Sequence, residues 1–209
     1  MANNPLYGSE KYDKASSKLS YDDRNSELDI ASNVAVTGNL TATGAITPTG
    51  LLTTNSVKKG LVSITASDAI TEAEHAGRTL VLNAADPTNT AVTCTLPAAT
   101  GSGNQYHFVI GVINAMAAGY KILVADATDT IDGWIVAKND VANHASNNSI
   151  NIWKPAASDD TIILNGTTSG GVSIGDWLCL TDIATNQWVL QGQVEQSGTE
   201  ETPFSATVS

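Results

Sequence analysis

VAVTGNLTATGAITPTGLLTT, residues 34 to 54, decides how the chain is read. Three six-residue units follow one another without a gap, beginning at Thr37, Thr43 and Thr49. Glycine falls at Gly38, Gly44 and Gly50, and a large aliphatic at Val34, Leu40, Ile46 and Leu52. A helix repeats its buried face every 3.6 residues and a strand every 2, so this period fits neither alone. It fits short strands joined by regular corners, where glycine allows backbone angles closed to other residues. Pro48 argues against one continuous central strand. Such units cannot bury their own aliphatic column, because stacked repeats need several coils and caps. No charged residue occurs from Ile30 to Val57, unlike a solvated linker. The reading is therefore that three copies wind together, with Val34, Val36, Leu40, Ile46 and Leu52 at the shared interface. The alternative is an apolar, threonine-rich extended linker.

Outward from this stretch, the 209 residues divide into a polar arm at 1–29, the hexad stem at 30–57 and one sizeable domain at 58–209. The arm mixes Lys11, Lys14, Lys18 and Arg24 with Glu10, Asp13, Asp22, Asp23, Glu27 and Asp29. Its apolar residues are too sparse for an amphipathic helix, so it is expected to order on a partner. Nothing after Lys154 is basic, which leaves an acidic end opposite the arm. The net charge of −11 argues against nucleic acid and against an anionic membrane surface. No run is long enough for a membrane span, and MANNPLYGSEKYDK lacks the basic start and apolar stretch of a signal peptide. Folding in the cytoplasm of the producing cell is expected.

Beyond Lys58-Lys59-Gly60, strand-like runs recur at 61–65, 79–83, 91–96, 106–113, 120–125, 134–137, 149–153, 161–164, 177–181 and 187–191. Turn material such as Asp86-Pro87-Thr88-Asn89 and Gly101-Ser102-Gly103-Asn104 separates them. Many short strands at this spacing predict an all-β fold, a sandwich, jelly roll or barrel. Val92, Cys94 and Leu96 alternate onto one face. One helical turn is predicted at Thr71–Gly77, with Thr71 as N-cap, Glu74 completing a capping box and Gly77 ending the turn.

No constellation points to catalysis. Glu72, Glu74 and His75 share one turn, but capping accounts for Glu74, and no nucleophile elbow, Walker loop or dinucleotide fingerprint occurs. His75, His107 and His144 have no metal-ligand spacing, so neither metal nor cofactor is expected. Asp126, Asp129 and Asp132 lack the oxygen pattern of a calcium loop and read as a solvated turn. Cys94 and Cys179 sit in apolar runs and are expected as buried free thiols. Trp134, Trp153, Trp177 and Trp188 also lie in or beside apolar runs, which favours core or subunit packing over an exposed sugar platform.

Val36-Thr37-Gly38-Asn39-Leu40-Thr41-Ala42-Thr43-Gly44 resembles the TGNLTxTG stems of tail fibres and other trimeric virion proteins of tailed bacteriophages. The segments at 70–79, 80–85 and 95–98, with Gly103, resemble a β-rich module of phage structural proteins. Together they cover roughly residues 34 to 115. The resemblance implies a non-enzymatic homotrimer on the virion surface. A stem this short is similar to that of a capsid decoration, or cement, protein that holds the major capsid protein in place. The arm residues Tyr7, Lys11, Tyr12, Lys14, Lys18 and Arg24 would make that contact. The alternative is a short fibre or receptor-binding protein touching a host surface glycan.

Overall fold

The computed structural model describes residues 12–13, 18–19, 37, 41, 59–84, 91–113, 119–139 and 150–207. The chain divides into two units, Met1–Thr54 and Asn55–Ser209. In the first, β1 (Tyr12–Asp13) and β2 (Lys18–Leu19) pair antiparallel, Tyr12 opposite Leu19. The aliphatic column of the hexads lies outside the described residues.

The second unit is almost all β, as expected. Its elements are β3 (Leu61–Ile64), β4 (Asp68–Ala69), α1 (Glu72–His75), β5 (Thr79–Leu82), β6 (Val92–Thr95), β7 (Gln105–Ile110) and β8 (Tyr120–Leu123). Then follow β9 (Thr130–Asn139), β10 (Ile150–Trp153), β11 (Thr161–Leu164), β12 (Trp177–Ala184), β13 (Gln187–Gln196) and β14 (Phe204–Ser205). A seven-stranded sheet runs β10-β9-β13-β12-β7-β5-β3, and a five-stranded sheet runs β14-β11-β8-β6-β4. Alternate side chains of both sheets meet in one core. Leu80, Phe108, Leu178 and Leu190 come from the larger sheet, Cys94, Ile122 and Ile162 from the smaller. Of the three expected architectures, this is a sandwich.

The spacing of runs did not reveal the direction of pairing. β3, β5 and β7 are parallel neighbours, and so are β4, β6 and β8. Parallel strands cannot be joined by a tight hairpin. Here the return path of each crossover is a strand of the opposite sheet, because the chain alternates between sheets from β3 to β8. The short connections therefore remain compatible with parallel ladders. β11 and β12 then add antiparallel to β8 and β7.

The predicted helical turn forms. The Glu74 N–H donates to Thr71 Oγ1 (3.4 Å), and Gly77 adopts φ +69°. The reciprocal contact differs from expectation, since the Thr71 N–H donates to His75 Nδ1 (3.0 Å) rather than to Glu74. That bond places the proton of a neutral imidazole on Nε2, which faces Asp68 Oδ2 at 3.5 Å. His75 is thus a buried structural side chain.

At one end of the sandwich Asp182 of β12 gathers the loop after β6. Its carboxylate accepts from the Thr100, Gly101 and Ser102 N–H groups and from the hydroxyls of Thr100 and Ser102, at 2.6 to 3.2 Å. Burial alone would raise its pKa, yet these donors outweigh it and hold the acid at about 2.

Candidate interaction surface

Residues paired across neighbouring strands project on the same side of a sheet, so the register fixes which side chains share a face. On the outer side of the larger sheet, one row reads Leu61, Thr79, His107, Cys179, Gln191 and Trp134. The next reads Ser63, Val81, Val109, Trp177, Gln193, Val136 and Ile152. Neither row contains a carboxylate, lysine or arginine. Burial, and then the nearby Lys59, lower the pKa of His107. It stacks on Trp177 with ring centroids 5.6 Å apart.

This face is unusual for its domain. From residue 61 onward the chain carries four basic residues against fifteen acidic ones, yet both rows cross all seven strands or nearly so without a formal charge. Exposure is concentrated at the two edges: Leu61 is 73% exposed on β3, Ile152 70% on β10 and Trp134 50% on β9. Between them Thr79, Val81, His107, Val109, Trp177, Cys179 and Val136 are half-buried, while Gln191 and Gln193 on β13 are exposed. The face is therefore an uncharged strip in which Leu61, Trp134 and Ile152 are exposed beside the neutral polar side chains of Ser63, Gln191 and Gln193.

Beside the β9–β10 edge lies a groove of about 350 Å³, lined by Asp132, Gly133, Trp134, Ile152, Lys154 and Val189. Lys154 Nζ stands 3.5 Å from Asp132 Oδ1. The Gly133 N–H and then Lys154 lower the pKa of Asp132. At the other rim Lys138 pairs with Glu195 at 3.3 Å. A 2.5 Å hydrogen bond from Ser173 Oγ, and then Lys138, hold Glu195 below the usual carboxylate range. The acids bordering the face are therefore each matched by a lysine.

Behind Glu195, Asp176 behaves oppositely. Burial, aided by the Glu195 charge, pushes its pKa up to about 6, although the Glu195 and Ser173 N–H groups donate to it. A raised folded-state pKa contributes stability that is full below the unfolded value near 3.8 and is lost as pH rises through about 6. Asp176→Asn should therefore gain on the wild type by about 2 kcal/mol between pH 4 and pH 7. Urea midpoints at the two pH values check this, and an unchanged difference between the proteins contradicts it.

Of the predicted interface residues, Val34, Val36, Leu40, Ile46 and Leu52 lie outside the described residues, as do Tyr7, Lys11, Lys14 and Arg24 of the arm. The backbone of Tyr12 is in β1 and that of Lys18 in β2. The tryptophans divide. Trp188 is core, packed edge-on against Tyr106, and half-buried Trp153 donates to Gln196 Oε1 (3.0 Å). Trp177 and Trp134 instead belong to the outer face. Cys94 is a buried free thiol with its pKa pushed up to about 12 by burial, whereas Cys179 is only half-buried, since alternation turns it outward. The aspartates are not one solvated turn. Asp126 caps Thr128, Asp129 is buried and accepts from the Ala99 N–H (3.2 Å), and Asp132 is inside β9. Asp129 has a raised pKa, chiefly from burial. Among the described residues no group of three or more His, Cys, Asp or Glu could hold a metal ion, and no helix is long and apolar enough to cross a membrane.

The outer face had a signal in the sequence. A strand with one solvated side normally carries charge at alternate positions. Leu61–Ile64, Gln105–Ile110, Trp177–Thr181 and Gln187–Gln193 carry none on either side. Comparisons with protein families, with curated proteins and with solved structures found no match.

Proposed function

We propose that the chain is a non-enzymatic structural protein of a tailed-bacteriophage virion, a homotrimer that decorates and stabilises the capsid shell. The observation that carries this reading is the charge-free hexad sequence with an aliphatic residue every six positions, which so short a repeat cannot bury alone; the uncharged outer face of the seven-stranded sheet supports it. In this mechanism the hexads lock three chains together, the arms grip the major capsid protein, and the acidic remainder faces solvent. Three linked arms hold the shell more strongly than one, because the later contacts form at high effective concentration.

Copy number on the intact particle tests the reading. Electron microscopy should show many copies distributed over the shell. Deleting residues 1–29 should abolish capsid binding and leave the trimer; retained binding removes the arm from the mechanism. Leu40→Asp should shift the protein to monomer, because it puts a charge on the apolar axis at a cost of several kcal/mol.

A second reading rests on Trp134, half-exposed in a groove with Asp132 and Lys154 alongside. An aromatic platform flanked by polar groups suits a sugar ring. It supports a short fibre or receptor-binding protein that contacts host glycan. A few copies at the tail, rather than many on the shell, would favour it.

A further inference from the structure

We infer that the uncharged outer face of the seven-stranded sheet is covered by further copies of this chain, with the β3 edge of one copy meeting the β9–β10 edge of the next. This rests on the homotrimer reading and gives the β domain its own contact, separate from the hexads.

Charge selects the occupant. The domain from residue 61 onward has an excess of eleven acidic residues, so two copies repel over most of their surface. They can approach only where acids are absent or neutralised. The two uncharged rows, bordered by Asp132 with Lys154 and by Glu195 with Lys138, form such a place. A cationic partner would be drawn to the acidic remainder instead.

Symmetry selects the geometry. A two-fold contact sets like edge against like edge and closes at two copies, whereas a ring of three needs unlike surfaces to meet. The larger sheet offers two unlike edges. Among the described residues β3 neighbours only β5 in the sheet and presents Leu61, and β10 neighbours only β9 and presents Ile150 and Ile152. Both are four-residue strands, and among the described residues one side of each has no partner strand in the sheet. At a strand spacing of about 4.8 Å the seven strands span about 29 Å. The two uncharged rows, each about 7 Å of strand deep, offer about 400 Å², half of the ~800 Å² per partner of a stable complex, so this contact adds to the hexads and does not replace them.

Sedimentation equilibrium of the full chain tests this with Leu61→Lys, Ile152→Glu, the double variant carrying both, and Ile174→Glu. Ile174 is also 70% exposed but belongs to the loop before β12 and to neither row, so it controls for added charge. All four variants place charge at solvent-exposed positions, and circular dichroism verifies the fold. Each single face variant should weaken association at least about tenfold, while Ile174→Glu should not. The double variant should recover most of the loss, because every junction then sets a lysine against a glutamate. A wild-type trimer unaffected by either single variant overturns the inference and leaves the trimer reading intact. A monomeric wild type overturns both, and a double variant no better than the singles overturns the edge-to-edge junction.

Discussion

Asp182→Ala should lower the stability of the β domain by about 3–5 kcal/mol, with a melting temperature roughly 10 °C below the wild type. The side chain is 2% exposed and satisfies three backbone N–H groups and two hydroxyls of the loop at 100–102. Truncation leaves those donors facing a space without an acceptor, and a buried donor left unmade costs more than a hydrogen bond contributes. The loop also bridges to the end of β12 through Thr100 and Thr185, so its release frays one end of the sandwich. Asp182→Asn separates charge from shape. A folded-state pKa of about 2 means the carboxylate contributes stability above the unfolded value near 3.8, lost as pH falls through about 2. The wild-type advantage over Asn should be largest near neutral pH and fade in strong acid. A difference independent of pH contradicts the assignment of the stabilisation to the charged form.

Gly133→Ala should cost about 3 kcal/mol or more. Gly133 sits inside β9 with φ +116°, and an added Cβ would overlap the carbonyl oxygen of Leu190, its register partner on β13. Neither backbone can yield without breaking the ten-residue parallel ladder that joins β9 and β10 to the rest of the sheet. Because Trp134 follows directly, the same substitution should also displace part of the outer face. Gly77→Ala is the control. Its φ is +69° but an added Cβ meets nothing within 4 Å, so about 1 kcal/mol is expected. Equal denaturation midpoints for the two variants would show that the close approach at Gly133 is not what matters.

The strands were legible because each is a short β-branched or aromatic run bounded by turn residues. Val92-Cys94-Leu96 kept even its predicted face. Pairing was not legible, since alternation reports which residues are buried and not which strand lies beside which. The crossing of the chain between sheets, which makes β3-β5-β7 parallel, leaves no trace in any single run. β4 and β14 were missed because two residues cannot display a period. Asp182 was invisible for a different reason. An acid in an apolar strand is explained only by the donors that face it, and those lie about eighty residues earlier.

The outer face was half-legible. Apolar runs at Trp177–Thr181 and Gln187–Gln191 announced buried strands, and burial against the core was the natural reading. Only the register shows that Trp177, Cys179 and Trp134 point away from that core, in rows that continue to Leu61 and Ile152. The proposed trimer makes one demand on the hexads and on this face, argued from a six-residue period in the first and from strand pairing in the second.

Light scattering of the purified full chain at micromolar concentration tests that demand most directly. The account predicts one species of about three times the 21.6 kDa chain mass. A clean 21.6 kDa monomer would contradict it.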